Sequence, residues 1–233
     1  ANIFSANVVT ILLLYVAINR KKIRISQTLV ILAIEILNYK LTESRIGTIV
    51  IIGVIVIYFF CKKFSLVNLA LRLAKYAFPC ILLLNFTFII ARIFWDNSLL
   101  SKLDMALFNG RMGLSAIYLS TYPLTMFGDL LDISVVASKI WYYAFDNGYS
   151  IILLYYGIMG FFAYVYIYQK IMLEMIKKRE FLLVLIIMFY MLWGIYEGIT
   201  ISVSGNFTFL ILGKKIPLNK NIGNKYIGEV DGE

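Results

Sequence analysis

Two arginines carry the clearest chemical potential in the chain. Arg45 stands in Thr42-Glu43-Ser44-Arg45-Ile46-Gly47, and Arg111 in Asn109-Gly110-Arg111-Met112-Gly113. A guanidinium stays charged at any physiological pH and presents a planar fork of N–H donors that matches phosphate oxygens. Neighbouring glycines let a ligand approach the backbone closely. Two such groups on one face suit a pyrophosphate; the plain alternative for Arg111 is a loop ion pair with Asp104 or Asp129. Carboxylates supply the complementary chemistry. Asp146 leads as a general base, followed by Glu43 and Glu197, although Asp146 serves equally well as the N-cap of a helix beginning near Gly148. The chain has no histidine, and Cys61 and Cys80 lack metal-type spacing, so no metal or cofactor is expected.

These residues need elements to hold them, and composition sets their class. The chain has 233 residues, 61% of them hydrophobic and only 15% charged, with a mean hydropathy of +0.85. Soluble domains are nearer half apolar and a quarter charged. Disorder, collagen and coiled coil are excluded by the same figures, and the fold expected is all-α: a polytopic bundle of transmembrane helices. A span needs about 20 apolar residues. Such runs occupy Asn2–Ile18, Ile25–Asn38, Ile46–Phe60, Tyr76–Trp95, Gly148–Tyr168, Phe181–Ile199 and, more weakly, Ser202–Leu212. That makes about seven spans, the short ones lengthened by flanking polar residues, and the last either crossing or re-entering.

The net charge of +9 follows the loops and does not form a nucleic-acid patch. Arg20–Arg24, Lys62–Lys75, Lys170–Arg179 and the tail after Leu212 hold 16 of the 22 basic residues, in alternate loops that share one side of the membrane. Basic loops stay in the cytoplasm, which puts the tail, residues 214–233, inside. Residues 1–213 then form the membrane domain. Seven crossings place the amino terminus outside, and with Ala1 in place of a methionine, earlier spans are expected before it. The segment Asp96–Asn147 is a long extracytoplasmic loop. Its apolar positions Leu99, Leu103, Ala106 and Leu107, and later Ile133, Val136, Ala137, Ile140 and Trp141, recur at helical spacing. Two amphipathic helices are expected there, with Arg111 between them. The loop's tyrosines and tryptophans suit either sugar stacking or an interfacial belt.

Glu35, Glu43, Arg45, Arg92, Asp96 and Glu197 all fall at the outer ends of spans. A charge at mid-membrane costs about 2.5–3.5 kcal/mol, so a shared outward cavity accounts for the set. For Arg92 and Glu35, snorkelling to the interface explains the position equally well.

The order Thr42–Gly47, Asn109-Gly110-Arg111, Tyr122–Gly128, Asp146-Asn147-Gly148-Tyr149 and Tyr155-Tyr156-Gly157-Ile158 resembles the C-terminal portion of bacterial Wzy-type polymerases. These assemble O-antigen, capsule and exopolysaccharide repeats, and their broader family includes O-antigen ligases. The resemblance runs from about Thr42 to Glu197. It implies a GT-C-like membrane glycosyltransferase, free of metal, at the outer face of the bacterial cytoplasmic membrane. The growing glycan would pass from undecaprenyl pyrophosphate to the next lipid-linked oligosaccharide unit, with the bilayer and other assembly proteins as partners. By the same resemblance Arg111 and Arg45 would lie at the pyrophosphate, and Gly128 would match the glycine that follows the loop arginine. Arg92, Glu43 and Asn147 complete the expected substrate-binding set, with Arg111, Asp146 and Glu197 catalytic. Ligases tend to carry a histidine where Asp146 stands, which favours polymerase over ligase. A lipid-linked oligosaccharide flippase is the alternative from another class; it would want charge at mid-membrane and internal repeats, whereas here Asn85 is the main polar interruption. A scaffold would leave the arginine motifs unexplained.

Overall fold

The computed structural model describes residues 2–19, 25–43, 45–131 and 146–198, with Thr208. The described residues form nine α-helices and no strand. They are α1 (Asn2–Ile18), α2 (Ile25–Thr42), α3 (Arg45–Lys63), α4 (Val67–Phe94), α5 (Ser98–Phe108), α6 (Arg111–Thr121), α7 (Gly148–Tyr155), α8 (Gly157–Lys177) and α9 (Phe181–Trp193).

The α9 sequence, Phe-Leu-Leu-Val-Leu-Ile-Ile-Met-Phe-Tyr-Met-Leu-Trp, is apolar on every side, and such a helix belongs in a core. Residues Phe181 to Ile187 are all buried, and α1, α3, α4 and α8 pack around them. Two helices, α3 and α4, are long and apolar enough to cross a membrane. Only 28% and 22% of their most apolar windows are buried, so neither resembles the core helix of a soluble protein. Their outer faces expose Ile49, Ile52 and Val56 on α3, and Leu73, Leu83, Leu84 and Ile90 on α4. Apolar surface on this scale favours hydrocarbon over water.

Several boundaries depart from the apolar runs. Helices α2 and α3 extend into flanking polar residues, as their short runs required, and α4 begins at Val67 and passes through Pro79. The run Gly148–Tyr168 is not one helix. It breaks at Tyr156–Gly157, where the segment Thr125–Asp129 lies across the gap. Ile158 N donates to Thr125 O and Met159 N to Met126 O, both at 3.0 Å, and Asp129 N donates to Leu154 O at 3.0 Å. The borrowed bonds replace those the break removes. Gly157 and Gly128 have φ of +71° and +87°, and a Cβ on Gly128 would lie 2.1 Å from Tyr155 O. Only glycine fits this crossing. The run Phe181–Ile199 also ends early, at Trp193, and the chain turns so that Gly194 O accepts from Gly148 N at 2.8 Å.

Helix α5 stands where its apolar spacing put it. Arg111, however, opens a further helix, α6, where a connecting loop was expected. Asn109 and Gly110, at φ of +55° and +79°, make the tight left-handed turn between them. The expected second amphipathic helix at 133–141 and the tail lie outside the described residues, as does the run 202–212 apart from Thr208.

Candidate functional site

One end of the bundle gathers the charged groups. It receives the end of α2, the start of α3, the end of α4, the α5–α6 turn and the chain just past α9.

Arg92, in the last turn of α4, pairs with Asp96 and approaches Asp104 Oδ2 with its Nε at 3.4 Å. Asp104 is only 1% exposed, and its two oxygens accept from Met112 N at 3.1 Å and Gly113 N at 2.6 Å. A carboxylate at the first turn of α6 satisfies donors that have no partner within the helix, and it suits the positive end of the dipole. The pairing fixes α6 against α4. A side chain at Gly113 would meet Arg92 Nη2 at 2.6 Å, so the glycine admits the guanidinium.

Fixing α6 also fixes Arg111 at its first position. Its Nη2 lies 3.2 Å from Glu197 Oε1 and 3.5 Å from Asp146 Oδ2, and not against Asp104 or Asp129. Its guanidinium carbon sits 6.0 Å from the centre of the Tyr196 ring, within range of a cation–π contact. Tyr196 is itself anchored, donating from its hydroxyl to Leu107 O at 2.8 Å. Arg111 Nε is buried and makes no hydrogen bond to any described residue, as is also true of Arg92 Nε.

Beside Arg111 opens a cavity of about 520 Å³. Its charged lining is Arg45, Arg111, Glu43 and Glu197, and Asn109, Met105 and Tyr196 complete the wall nearest Arg111. Glu43 follows α2 in the left-handed conformation, φ +55°, and Arg45 starts α3, so the two groups stand two residues apart in the chain. Glu197 lies past the end of α9. Burial pushes its carboxyl up to about 7 from an ordinary 4.5, with Arg111 pulling it down and Asp146 pushing it up. A carboxyl titrating near neutrality can hold or release a proton at working pH. Burial likewise raises the Tyr196 hydroxyl, against the pull of Arg111.

The expected site residues separate into groups. Arg45, Glu43, Arg111 and Glu197 share the cavity, and Asp146 reaches Arg111 without being among the cavity's lining residues. Arg92 lines a neighbouring cavity of about 530 Å³ on the other side of Arg111. Gly128 packs on the α7–α8 break. Asn147, 1% exposed, is the residue that caps α7, accepting from Ser150 N at 3.0 Å and donating to Asn85 Oδ1 at 2.7 Å. The cap expected of Asp146 therefore belongs to its neighbour, and the mid-span polar group Asn85 finds its partner there. Glu35 does not join the shared outward cavity, and it does not snorkel. It is 1% exposed within α1–α3, accepting from Asn38 Nδ2 at 3.2 Å and Thr48 Oγ1 at 3.0 Å. Tyr196 carries no signal in the sequence, and Asn109 appears there only as part of the Arg111 motif. Among the described residues, no three histidine, cysteine or acidic side chains group as a metal site requires. No family model matches the chain, and no curated protein or solved structure matches it.

Proposed function

We propose that the chain is the C-terminal portion of a multi-pass glycosyltransferase of the bacterial cytoplasmic membrane. It would elongate a polysaccharide by moving the growing glycan from undecaprenyl pyrophosphate onto the next lipid-linked repeat unit. The observation that carries this reading is one cavity lined by two arginines from separate elements, Arg45 and Arg111, together with the Glu197 carboxyl, which burial pushes up to about 7. In this reading the membrane domain has about seven spans in a GT-C-like arrangement, the Arg111 end faces outward, and the tail is cytoplasmic.

The chemistry follows from charge. The acceptor hydroxyl oxygen bonds to the donor's anomeric carbon while the bond from that carbon to the pyrophosphate oxygen breaks. Negative charge grows on the departing diphosphate, and the guanidinium forks of Arg111 and Arg45 stabilise it. The acceptor proton passes to Glu197. Glu197 replaces Asp146 as the preferred base because it lines the cavity, while Asp146 holds Arg111 from the side.

The test is incubation of the purified chain in vesicles with undecaprenyl-pyrophosphate-linked repeat units. A ladder of lengthening products is the expected result. A single-step product would point to ligation, transfer across the bilayer without new bonds to a flippase, and absence of all three would overturn the reading.

A further inference from the structure

The opposite end of the bundle carries a second charged site that the glycosyltransferase reading does not use. Arg72 and Lys75 project from the first turns of α4, and Arg179 from the turn between α8 and α9, where it adopts φ of +53°. The three cations line one cavity of about 360 Å³ with Asn68, floored by Leu71 and Ile176. No carboxylate is among its lining residues. The neighbouring Glu174 is paired with Lys178. Three like charges around one cavity repel one another, and an anion there relieves the repulsion. The start of α4 adds to the attraction, because its N-cap is Leu66 and no side chain caps its first turn. Immediately alongside, Leu69, Leu73 and Tyr76 are more than half exposed and Leu173 faces outward as well, giving an apolar flank next to the basic pocket. Arg72 and Arg92 are separated by roughly 30 Å along the α4 axis, the thickness of a hydrocarbon core, so the two sites sit at opposite membrane surfaces.

We infer that Arg72, Lys75 and Arg179 form a binding site for the phosphate headgroup of an anionic phospholipid, whose acyl chains run from there along the exposed Leu73, Tyr76 and Leu83 of α4. The apolar flank distinguishes a lipid from a soluble phosphate, and basic pockets between membrane helices take such headgroups. The site would seat the bundle in the leaflet that carries the basic loops, and it does not depend on the activity of the Arg111 cavity.

The experiment takes the purified full chain from vesicles of phosphatidylcholine and phosphatidylglycerol into detergent and measures retained lipid by mass spectrometry. The wild type should retain phosphatidylglycerol preferentially. Arg72→Gln should reduce that preference about fivefold, since one basic residue near a headgroup contributes about that factor, and the combined Arg72→Gln, Lys75→Gln, Arg179→Gln variant should abolish it. Retained phosphatidylcholine, unchanged, reports that the variants stay folded. Lys177→Gln removes an exposed charge from the same end but outside the pocket, and should leave the preference intact. An equal loss in Lys177→Gln would reduce the effect to diffuse surface charge, and release of the retained lipid by inorganic phosphate would assign the pocket to a soluble anion; either result overturns the inference, as does an undiminished preference in the triple variant.

Discussion

Two clusters at the same end of this bundle have the same formula, one arginine and two carboxylates, and opposite character. Around Arg92, Asp104 is buried and both its oxygens are occupied by the backbone of α6. Around Arg111, the Glu197 carboxyl is pushed up to about 7 and lines a cavity that it shares with a second arginine, Arg45. Both border cavities of similar volume, about 530 and 520 Å³, but the first cluster spends its carboxylate holding a helix in place, and the second lines its cavity with one. Ion pairing alone therefore does not mark a site. What distinguishes the Arg111 cluster is the Glu197 carboxyl, pushed up to about 7 in a cavity wall, where Asp104 instead gives both oxygens to the backbone.

Substitutions in the two clusters should act differently, the Arg111 cluster on activity and the Arg92 cluster on stability. Arg111→Lys keeps the charge but loses the fork, and polymer formation should fall about 100- to 1000-fold with the protein still inserted and folded. Undiminished product would erase the distinction between the clusters. Glu197→Gln should lower the rate about a hundredfold and remove the rise in activity through pH 7. It should also change stability in a defined direction. The carboxyl titrates near 7 when folded and near 4.5 when unfolded, so the folded state binds more protons between those values. Wild-type stability contributed by this group is thus lost as pH rises from about 4.5 through 7, and thermal melts of Glu197→Gln should lack that decline.

The Arg92 cluster should answer in stability instead. Asp104→Asn weakens two charge-assisted hydrogen bonds and a buried ion pair, and should cost about 2 kcal/mol, read as a lower melting temperature; whatever folded protein remains should still make polymer. Arg92→Lys, which keeps the charge beside both partners, should cost less than about 1 kcal/mol and leave the rate within a few-fold of wild type.

Much of the helical framework is legible in the chain's apolar runs. The boundaries of α1, the onset of α2, the placement of Arg45 at the head of α3 and the amphipathic α5 all follow from runs and spacing. The α7–α8 break does not, because the sequence stays apolar through it and the segment that satisfies its backbone, Thr125–Asp129, lies some thirty residues away in the chain. Helix α6 carries a signal that spacing could have supplied: Asn109-Gly110 marks a left-handed turn, and Met112, Ser115, Ala116 and Leu119 then recur on one face. Asp146 and Asn147 are equally good caps by type, and only geometry assigns the cap to Asn147 and frees Asp146 for Arg111. Glu197 was legible as a charge at a span end, but its elevated titration arises from burial among elements distant in sequence. Glu35 shows the converse. Its charge beside an apolar run suggested an outward-facing group, whereas Asn38, Thr48 and the space left by Gly47 take it inside.

If Arg45 and Arg111 together hold a lipid diphosphate, binding shows it without requiring turnover. Undecaprenyl pyrophosphate titrated onto the purified chain in detergent should bind the wild type and lose at least a hundredfold in affinity to Arg45→Gln, Arg111→Gln, with undecaprenyl monophosphate held less tightly by the wild type. Equal affinity of wild type and variant for the diphosphate lipid would contradict the account.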